Sequence, residues 1–522
     1  MAVDVPPTPP AAEPAPAAQV APAPAGGTFY VDAPEYRYSV TGNTLLPQAR
    51  IEAILKAAAT PKAAVDALNN AYVDAGYLFV VIGGQVDNKL VALQVVQGRI
   101  TEIDAPADVL PFLQSLRDRE SLTRNQLIRD TAMVDFYEQR QGKTARPTFA
   151  KAEQVGGTRL VVTEEPLPDA KPWAAGLAFS NLSGRFASRY TLGGSAALRP
   201  GNGFELTASY NQGLPGLTSE SAGATYKSGT LGASLVTPWG LYGLTYGKTD
   251  YQIGESGAPF YPAGDIEQGG FTGTQIAWAN ATSRVTTNQS IMRYSNLQTV
   301  QVEDDSVILV EQDYTVLGAG ATYNTSFAAF GRNAAFSGTV NVLKGITGAS
   351  GTFLPDGPGV PDPRFFLVQA SATVQSPLPY DTTGVLAVTA QYADTTLPQS
   401  QQWILGGFGN LTAWLPAVLV GDTGALARAT LTSSPYVWKG LSLSGGAFAE
   451  AGVAQLHYRG NNEPSWRGLG DLGLTLTGSS PLGTTLTLSY GFPVWYHNVD
   501  GAVRKSIDSN TAHLYFTLNH AF

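Results

Sequence analysis

From Trp173 to the end of the chain, hydrophobic and polar positions alternate with a period of two, the spacing at which successive side chains of a strand face opposite ways. In Phe204-Glu-Leu-Thr-Ala-Ser-Tyr-Asn one face holds Phe204, Leu206, Ala208 and Tyr210, and the other Glu205, Thr207, Ser209 and Asn211. Thr485-Leu-Thr-Leu-Ser-Tyr does the same, and Leu472, Leu474 and Leu476 oppose Gly473, Thr475 and Thr477. An apolar outside over a small polar inside is what a lipid-facing, water-lined barrel requires. About sixteen such antiparallel strands start near residues 173, 189, 203, 230, 240, 271, 285, 307, 333, 364, 382, 424, 441, 467, 483 and 508, and an even count suits a bacterial barrel.

The connections alternate short and long. Pro200-Gly-Asn-Gly, Thr237-Pro-Trp-Gly, Ser376-Pro-Leu-Pro, Ser434-Pro-Tyr and Ser480-Pro-Leu-Gly carry turn chemistry. The long connections cover about 213–229, 251–270, 345–363 and 396–423. If the first strand rises from the periplasm, all short turns fall on the periplasmic side and all long loops outside. A soluble sandwich has no reason for this regularity. The last strand, read as Asn510 to Phe522, sets Leu514, Phe516, Leu518 and terminal Phe522 on one face, an address for barrel assembly in the outer membrane.

Upstream the spacing differs. From Phe29 it reads strand, helix, helix, strand, strand: Tyr38-Ser-Val before a turn at Gly42-Asn43, helices over Gln48 to Leu55 and Ala63 to Tyr72, and strands at Leu78-Phe-Val-Val-Ile82 and Leu90 to Val96 joined at Asp87-Asn88. Ile51, Ile54 and Leu55 share one helix face, and Val65, Leu68 and Tyr72 share another. A similar unit follows. Thr123 with Gln126 forms a capping box opening a helix through Leu127, Met133, Phe136 and Tyr137. Thr144 to Lys151 then pairs with Thr158 to Thr163 around Gly156-Gly157.

Composition narrows the class. Charged residues make up 14% and mean hydropathy is −0.03, and no window nears eighteen consecutive apolar residues. That excludes a helical membrane span but not a barrel, whose strands need only about ten alternating residues. There are no cysteines, so thiolate catalysis and thiolate metal sites are excluded. A net charge of −9 gives no nucleic-acid footprint. Residues 2 to about 27 are nearly all alanine and proline, an extended linker. The start lacks the basic and apolar regions of a secretory signal, so Met1 reads as an added start on a mature chain.

Two small βααββ modules before a sixteen-stranded barrel resemble the two-partner secretion transporters, the haemolysin and filamentous haemagglutinin exporters. Val40-Thr-Gly-Asn-Thr-Leu-Leu-Pro, Ala71-Tyr-Val-Asp-Ala-Gly-Tyr and Val95-Val-Gln-Gly-Arg-Ile look like phrases of that family's first POTRA domain. Ala145-Arg-Pro-Thr-Phe and Thr158-Arg-Leu-Val-Val-Thr-Glu-Glu look like the closing hairpin of its second. The resemblance implies a linker over 1–27, POTRA domains over 28–102 and 103–168, and the barrel over 169–522. It also implies a lumenal lock, in which an arginine at the tip of the sixth extracellular loop meets an acid of a Phe-x-Asp-x-Gly motif on strand 13. Phe448-Ala-Glu-Ala-Gly452 fits that motif, with Phe448, Glu450 and Gly452 inward. The loop reads Leu405-Gly406-Gly407-Phe408, with Gly406 in the arginine's place. Arg428 on strand 12 is the substitute base, although mirroring the two strands about their turn sets it roughly four residues out of register with Glu450. The proline-rich start also cannot form the family's plug helix.

By this resemblance the chain is a monomeric pore, without cofactor or catalysis, in the outer membrane of a Gram-negative bacterium, its POTRA domains in the periplasm. It would bind the N-terminal secretion domain of an unfolded exoprotein and export it without ATP. Its other partners would be outer-membrane lipid and, during biogenesis, the barrel-assembly machinery. Unpaired POTRA edges suit strand addition, and the edges are assigned to Leu78, Phe79, Val80, Val81 and Ile82 and to Ala145 through Lys151, with Thr148 and Phe149 between. Phe516, Leu518 and Phe522 carry the assembly signal.

Other motifs have plainer readings. Gly468-Leu-Gly-Asp-Leu-Gly473 spells GxGxxG but opens a strand with no helix after it. The histidines His457, His497, His513 and His520 have no metal spacing, and Glu303-Asp-Asp305 reads as a solvated turn rather than a calcium loop. An assembly factor of the same superfamily and a passive porin are the competing functions; an open seam between the first and last strands would favour the former, whereas a porin has no need of POTRA modules.

Overall fold

The computed structural model describes residues 27–154, 157–217, 223–254, 262–302, 305–352, 359–458, 466–499, 501–509, 511 and 514–522. The proline-rich segment up to residue 26, Glu303, Asp304 and His513 lie outside them. The chain divides into two compact units: residues 1–105 with 114–127 and 147–161, and residues 106–113 and 128–146 with 162–522.

The first unit contains a four-stranded sheet. Its elements are β1 (Phe29–Asp32), β2 (Arg37–Thr41), α1 (Gln48–Ala57), α2 (Pro61–Asp74), β3 (Val80–Asp87) and β4 (Leu90–Gln97), and the strand order is β1-β2-β4-β3. The helix faces legible in the spacing are the buried ones: Ile51, Leu55, Leu68 and Tyr72 pack with Val40, Val91 and Leu93. The turn at Gly42-Asn43 goes further than its turn chemistry suggested. Asn43 is buried, accepts from the Tyr72 hydroxyl at 2.7 Å and donates to the Leu46 carbonyl at 2.8 Å, so one amide joins turn to helix. Strand β1 has no counterpart in the sequence reading, and Leu78 and Phe79 lie before β3 rather than in it. After Gly76, at φ +90°, the chain needs a bend to leave α2 and enter the ladder, and those two apolar residues form it.

Next come β5 (Arg99–Asp104), α3 (Leu110–Leu113), α4 (Arg124–Arg140), β6 (Lys143–Lys151) and β7 (Gly157–Pro166), with sheet order β5-β7-β6. The capping box is reciprocal. The Thr123 amide donates to Gln126 Oε1 at 3.0 Å, and the Gln126 amide to Thr123 Oγ1 at 3.3 Å.

The barrel is a closed antiparallel sheet. Its strands are β8 (Trp173–Ser180), β9 (Thr191–Gly201), β10 (Phe204–Gly213), β11 (Thr225–Thr237), β12 (Gly240–Gln252), β13 (Pro262–Ala279), β14 (Ser283–Val302), β15 (Asp305–Ala329), β16 (Arg332–Thr352), β17 (Phe366–Leu378) and β18 (Thr382–Ala393). A two-stranded sheet, β19 (Trp403–Leu405) with β20 (Leu419–Gly421), interrupts them. The wall resumes with β21 (Thr423–Ser433), its short continuation β22 (Tyr436–Trp438), β23 (Leu441–Gln455), β24 (Arg467–Ser479), β25 (Thr484–His497) and β26 (Tyr515–Ala521). Because β21 and β22 both pair with β23, they count as one, and the wall has sixteen strands. Leu206, Leu231, Leu244, Ile291, Leu386, Leu474 and Leu476 are exposed, the apolar outer face that lipid requires. Among the described residues no helix is long and apolar enough to cross a membrane.

Some boundaries differ from the sequence reading. Residues 262–270 and 345–352, read as loop, belong to β13 and β16; these hairpins keep pairing beyond the length a bilayer needs, because the ladder satisfies the backbone whether or not the side chains alternate. The last strand begins at Tyr515, and residues 501–509 form a helix, α5 (Gly501–Ser509). Ser434-Pro435 interrupts a strand rather than reversing it; the reversal is at Lys439-Gly440, both at positive φ.

Candidate functional site

That displaced turn explains the register of the site. Mirrored about Lys439-Gly440, Arg428 stands directly opposite Glu450, not four residues away, and Glu450 stands directly opposite Asp471 on β24. The even positions of β23 and the odd positions of β24 face the lumen, since Leu472, Leu474 and Leu476 face out. Two carboxylates and one guanidinium therefore form a row across three strands. Arg428 Nη1 lies 2.8 Å from Glu450 Oε1, off the axis of a hydrogen bond. Its Nε donates to Thr430 Oγ1 at 3.2 Å, and the guanidinium covers the Phe448 ring at 4.9 Å. Glu450 and Asp471 are 3% and 1% exposed, burial that carboxylates tolerate only with charge or donors beside them.

The donors come from the long loop. Between β19 and β20 the chain folds onto this wall, where the Thr412 amide donates to Glu450 Oε2 at 2.6 Å and the Ala413 amide donates to Asp471 Oδ2 at 2.7 Å. Charge-assisted bonds of this length are the stronger kind. The Tyr515 hydroxyl donates to the Trp414 carbonyl at 2.7 Å, and Trp414 is fully buried with its ring edge to Tyr496. Gly491 passes under Ala413, where a Cβ would overlap the Ala413 amide that Asp471 accepts from.

The sequence-picked tip has other work. Gly406 does not reach Glu450. It sits at φ +106°, with the Leu415 carbonyl where a Cβ would go, so this loop path leaves no room for an arginine there. Gly407 shares that φ. Leu405 packs on Gly452, where a Cβ would press on the Leu405 methyls, and Phe408 meets Tyr515 edge-on. At the loop base, buried Asp422 accepts from the Leu397 and His457 amides at 2.8 and 2.7 Å. Asp471, Thr412, Ala413, Asp422 and Tyr515 were missed by sequence reasoning. Asp471 was within reach, because it sits inside the GxGxxG string and shares the inward parity of Gly473, Thr475 and Thr477.

Elsewhere, β3 and β6 each lie at the edge of their sheet. Val81 and Phe149 are exposed, Phe149 meets Phe79 edge-on, and Thr148 Oγ1 donates to the Val161 carbonyl. Phe516, Leu518 and Phe522 face outward from the last strand, opposite to Tyr515. The seam between first and last strands is paired from Thr517↔Ser180 to Ala521↔Gly176, and Asn181 extends it by bonding Leu514 O and Phe516 N.

Residues 156–476 match the model of the family described as haemolysin secretion/activation protein ShlB/FhaC/HecB. The chain belongs to this family. It is accordingly an outer-membrane secretion transporter of the two-partner type, with the family's periplasmic N-terminal domains and a secreted exoprotein as partner. The fold is similar to CdiB from Escherichia coli, with a TM-score of 0.74 at 16% identity over 97% of this chain and 93% of that one. It is also similar to CdiB from Acinetobacter baumannii, with a TM-score of 0.69 at 14% identity over 96% and 91%. No curated protein matches the chain by sequence.

Proposed function

We propose that this family member captures its unfolded partner by strand addition at β3 and β6 and exports it through the barrel without ATP once the loop at 406–418 leaves the Glu450–Asp471 row. The observation that carries this reading is the loop's attachment. Its tip is held on the lumenal wall by two backbone amides on two carboxylates and one tyrosine hydroxyl on a carbonyl, bonds that break and reform. Arg428 then does for Glu450 what a loop arginine does in the family's pattern, but from the wall, so Glu450 keeps a cation beside it when the loop departs. Edge strands supply main-chain bonding that accepts many side-chain sequences, as a transporter of an unfolded chain needs. We assign Val80 to Ile82, with Leu78 and Phe79 before them, and Ala145 to Lys151 to this contact, and Phe516, Leu518 and Phe522 to barrel assembly. The domain limits we assign remain 28–102, 103–168 and 169–522, and the transporter acts as a monomer.

A pull-down of the purified full chain against the N-terminal secretion domain of the exoprotein encoded beside it tests the recognition step. Retention is expected; no retention by a correctly folded chain overturns it. An assembly factor would need the seam between β8 and β26 to open, and here it is paired over five positions.

A further inference from the structure

We propose that Asp108, Glu138 and Glu164 form a binding site for a divalent cation, calcium by its chemistry, that fixes the last turn of α4 to β7. The inference does not depend on the export reading. The three carboxylates come from separate places in the fold: Asp108 lies two residues before α3, Glu138 in the last turn of α4 and Glu164 near the end of β7. One oxygen from each lies within 4.8 Å of the others.

Glu138 is fully buried, and neither of its carboxylate oxygens has a hydrogen-bond partner; Oε1 of Glu164 has none either. Three buried carboxylate oxygens without a donor, in a cluster of three acids, are costly unless a cation meets them. The nearby donors are engaged on other atoms. Tyr137 Oη and Gln141 Nε2 both donate to Oδ2 of Asp108, at 3.2 and 3.1 Å, and Lys143 Nζ donates to Oε2 of Glu164 at 2.5 Å. Three carboxylates against one ammonium leave two negative charges, the charge of one divalent ion.

The donor set is all oxygen, which selects hard cations over zinc or copper. Calcium has bonds of about 2.3–2.6 Å and a flexible coordination shell that accepts carboxylates from separate elements, whereas magnesium keeps several waters and takes only one or two carboxylates. Exposed Asp108 gives an entry path. Burial, with the Glu164 carboxylate beside it, pushes the Glu138 carboxyl up to about 7, a cost that a bound cation would relieve.

The place of the site gives it a consequence. Helix α4 is tied to the barrel through Arg140, whose Nη1 donates to the Gly203 carbonyl at 2.7 Å and to the Ser234 carbonyl at 3.1 Å, and through Phe136, whose ring lies under Arg284. An ion holding the end of α4 would stiffen that attachment.

Terbium tests the site directly, because Tyr137 lies against Asp108 and would sensitise its emission. Titrated into the purified full chain in detergent, terbium is expected to give saturable emission under tyrosine excitation that calcium displaces, with affinity lowered at least tenfold in Glu138→Gln and in Glu164→Gln. Identical titrations of the wild type and both variants, or no sensitised emission from the wild type, would overturn the proposal. If either buried substitution disturbs folding, Asp108→Asn at the exposed ligand decides by the same criterion.

Discussion

Two clusters of buried carboxylates are met by different means, and each keeps oxygens without a hydrogen-bond donor, Glu450 Oε1 and Asp471 Oδ1 among them in the lumen. In the lumen Glu450 and Asp471 have Arg428 beside them and one backbone amide each, from Thr412 and Ala413. Beside α4, Glu138 and Glu164 have Lys143 alone, and three of their oxygens meet no donor. The difference teaches how to read a buried acid. Where a loop supplies a backbone amide to each acid and the wall a guanidinium, the acids hold the loop; where one ammonium faces three carboxylates, the residual charge points to something that is not protein.

This contrast can be attacked from its strongest point downward. Deleting 406–418 removes the lumenal donors and the obstruction together, so conductance in planar bilayers should rise from a closed to an open level; an unchanged closed level would show that this loop is not the barrier. Arg428→Ala leaves Glu450 buried beside Asp471 without a cation, and should cost about 3–5 kcal/mol in denaturant unfolding of the barrel. Adding Glu450→Gln to it should recover more than half of that loss, since the uncompensated charge is then gone. Thr412→Pro takes away the N–H that donates to the Glu450 carboxylate while keeping the loop length, and should weaken loop seating by roughly 1.5–3 kcal/mol, read as more frequent channel openings. Tyr515→Phe removes a neutral hydrogen bond to Trp414, for about 1 kcal/mol. Lys143→Met in the other cluster should be the mildest, roughly 0.5–1 kcal/mol in chelator because the pair is partly exposed, and should tighten terbium binding. If it cost as much as Arg428→Ala, the two clusters would be alike and the contrast would fail.

Particular residues show why some of this was legible and some was not. The strand faces of Phe204 to Asn211 and of Leu472 to Thr477 were written in the spacing, because a strand has one period and lipid selects one face. Helix α4 announced its start through Thr123 and Gln126, a contact three residues long. The register of Arg428 against Glu450 was missed because it depends on where the chain reverses, and Ser434-Pro435 has the better turn chemistry while Lys439-Gly440 makes the turn. Glu450 was singled out by its motif, but the amide that meets it belongs to Thr412, and any residue except proline offers an amide, so no side-chain pattern marks it.

By itself, then, the sequence determined what short-range rules control: the alternation that makes a membrane barrel, the helix faces, the cap and the modular order. The tertiary structure alone decided which carboxylates meet, what lies beside them and which loop amides reach them. Those pairings join positions 21 to 58 residues apart in the chain, and their energy lies in burial and direction, quantities that exist only once the strands are in register.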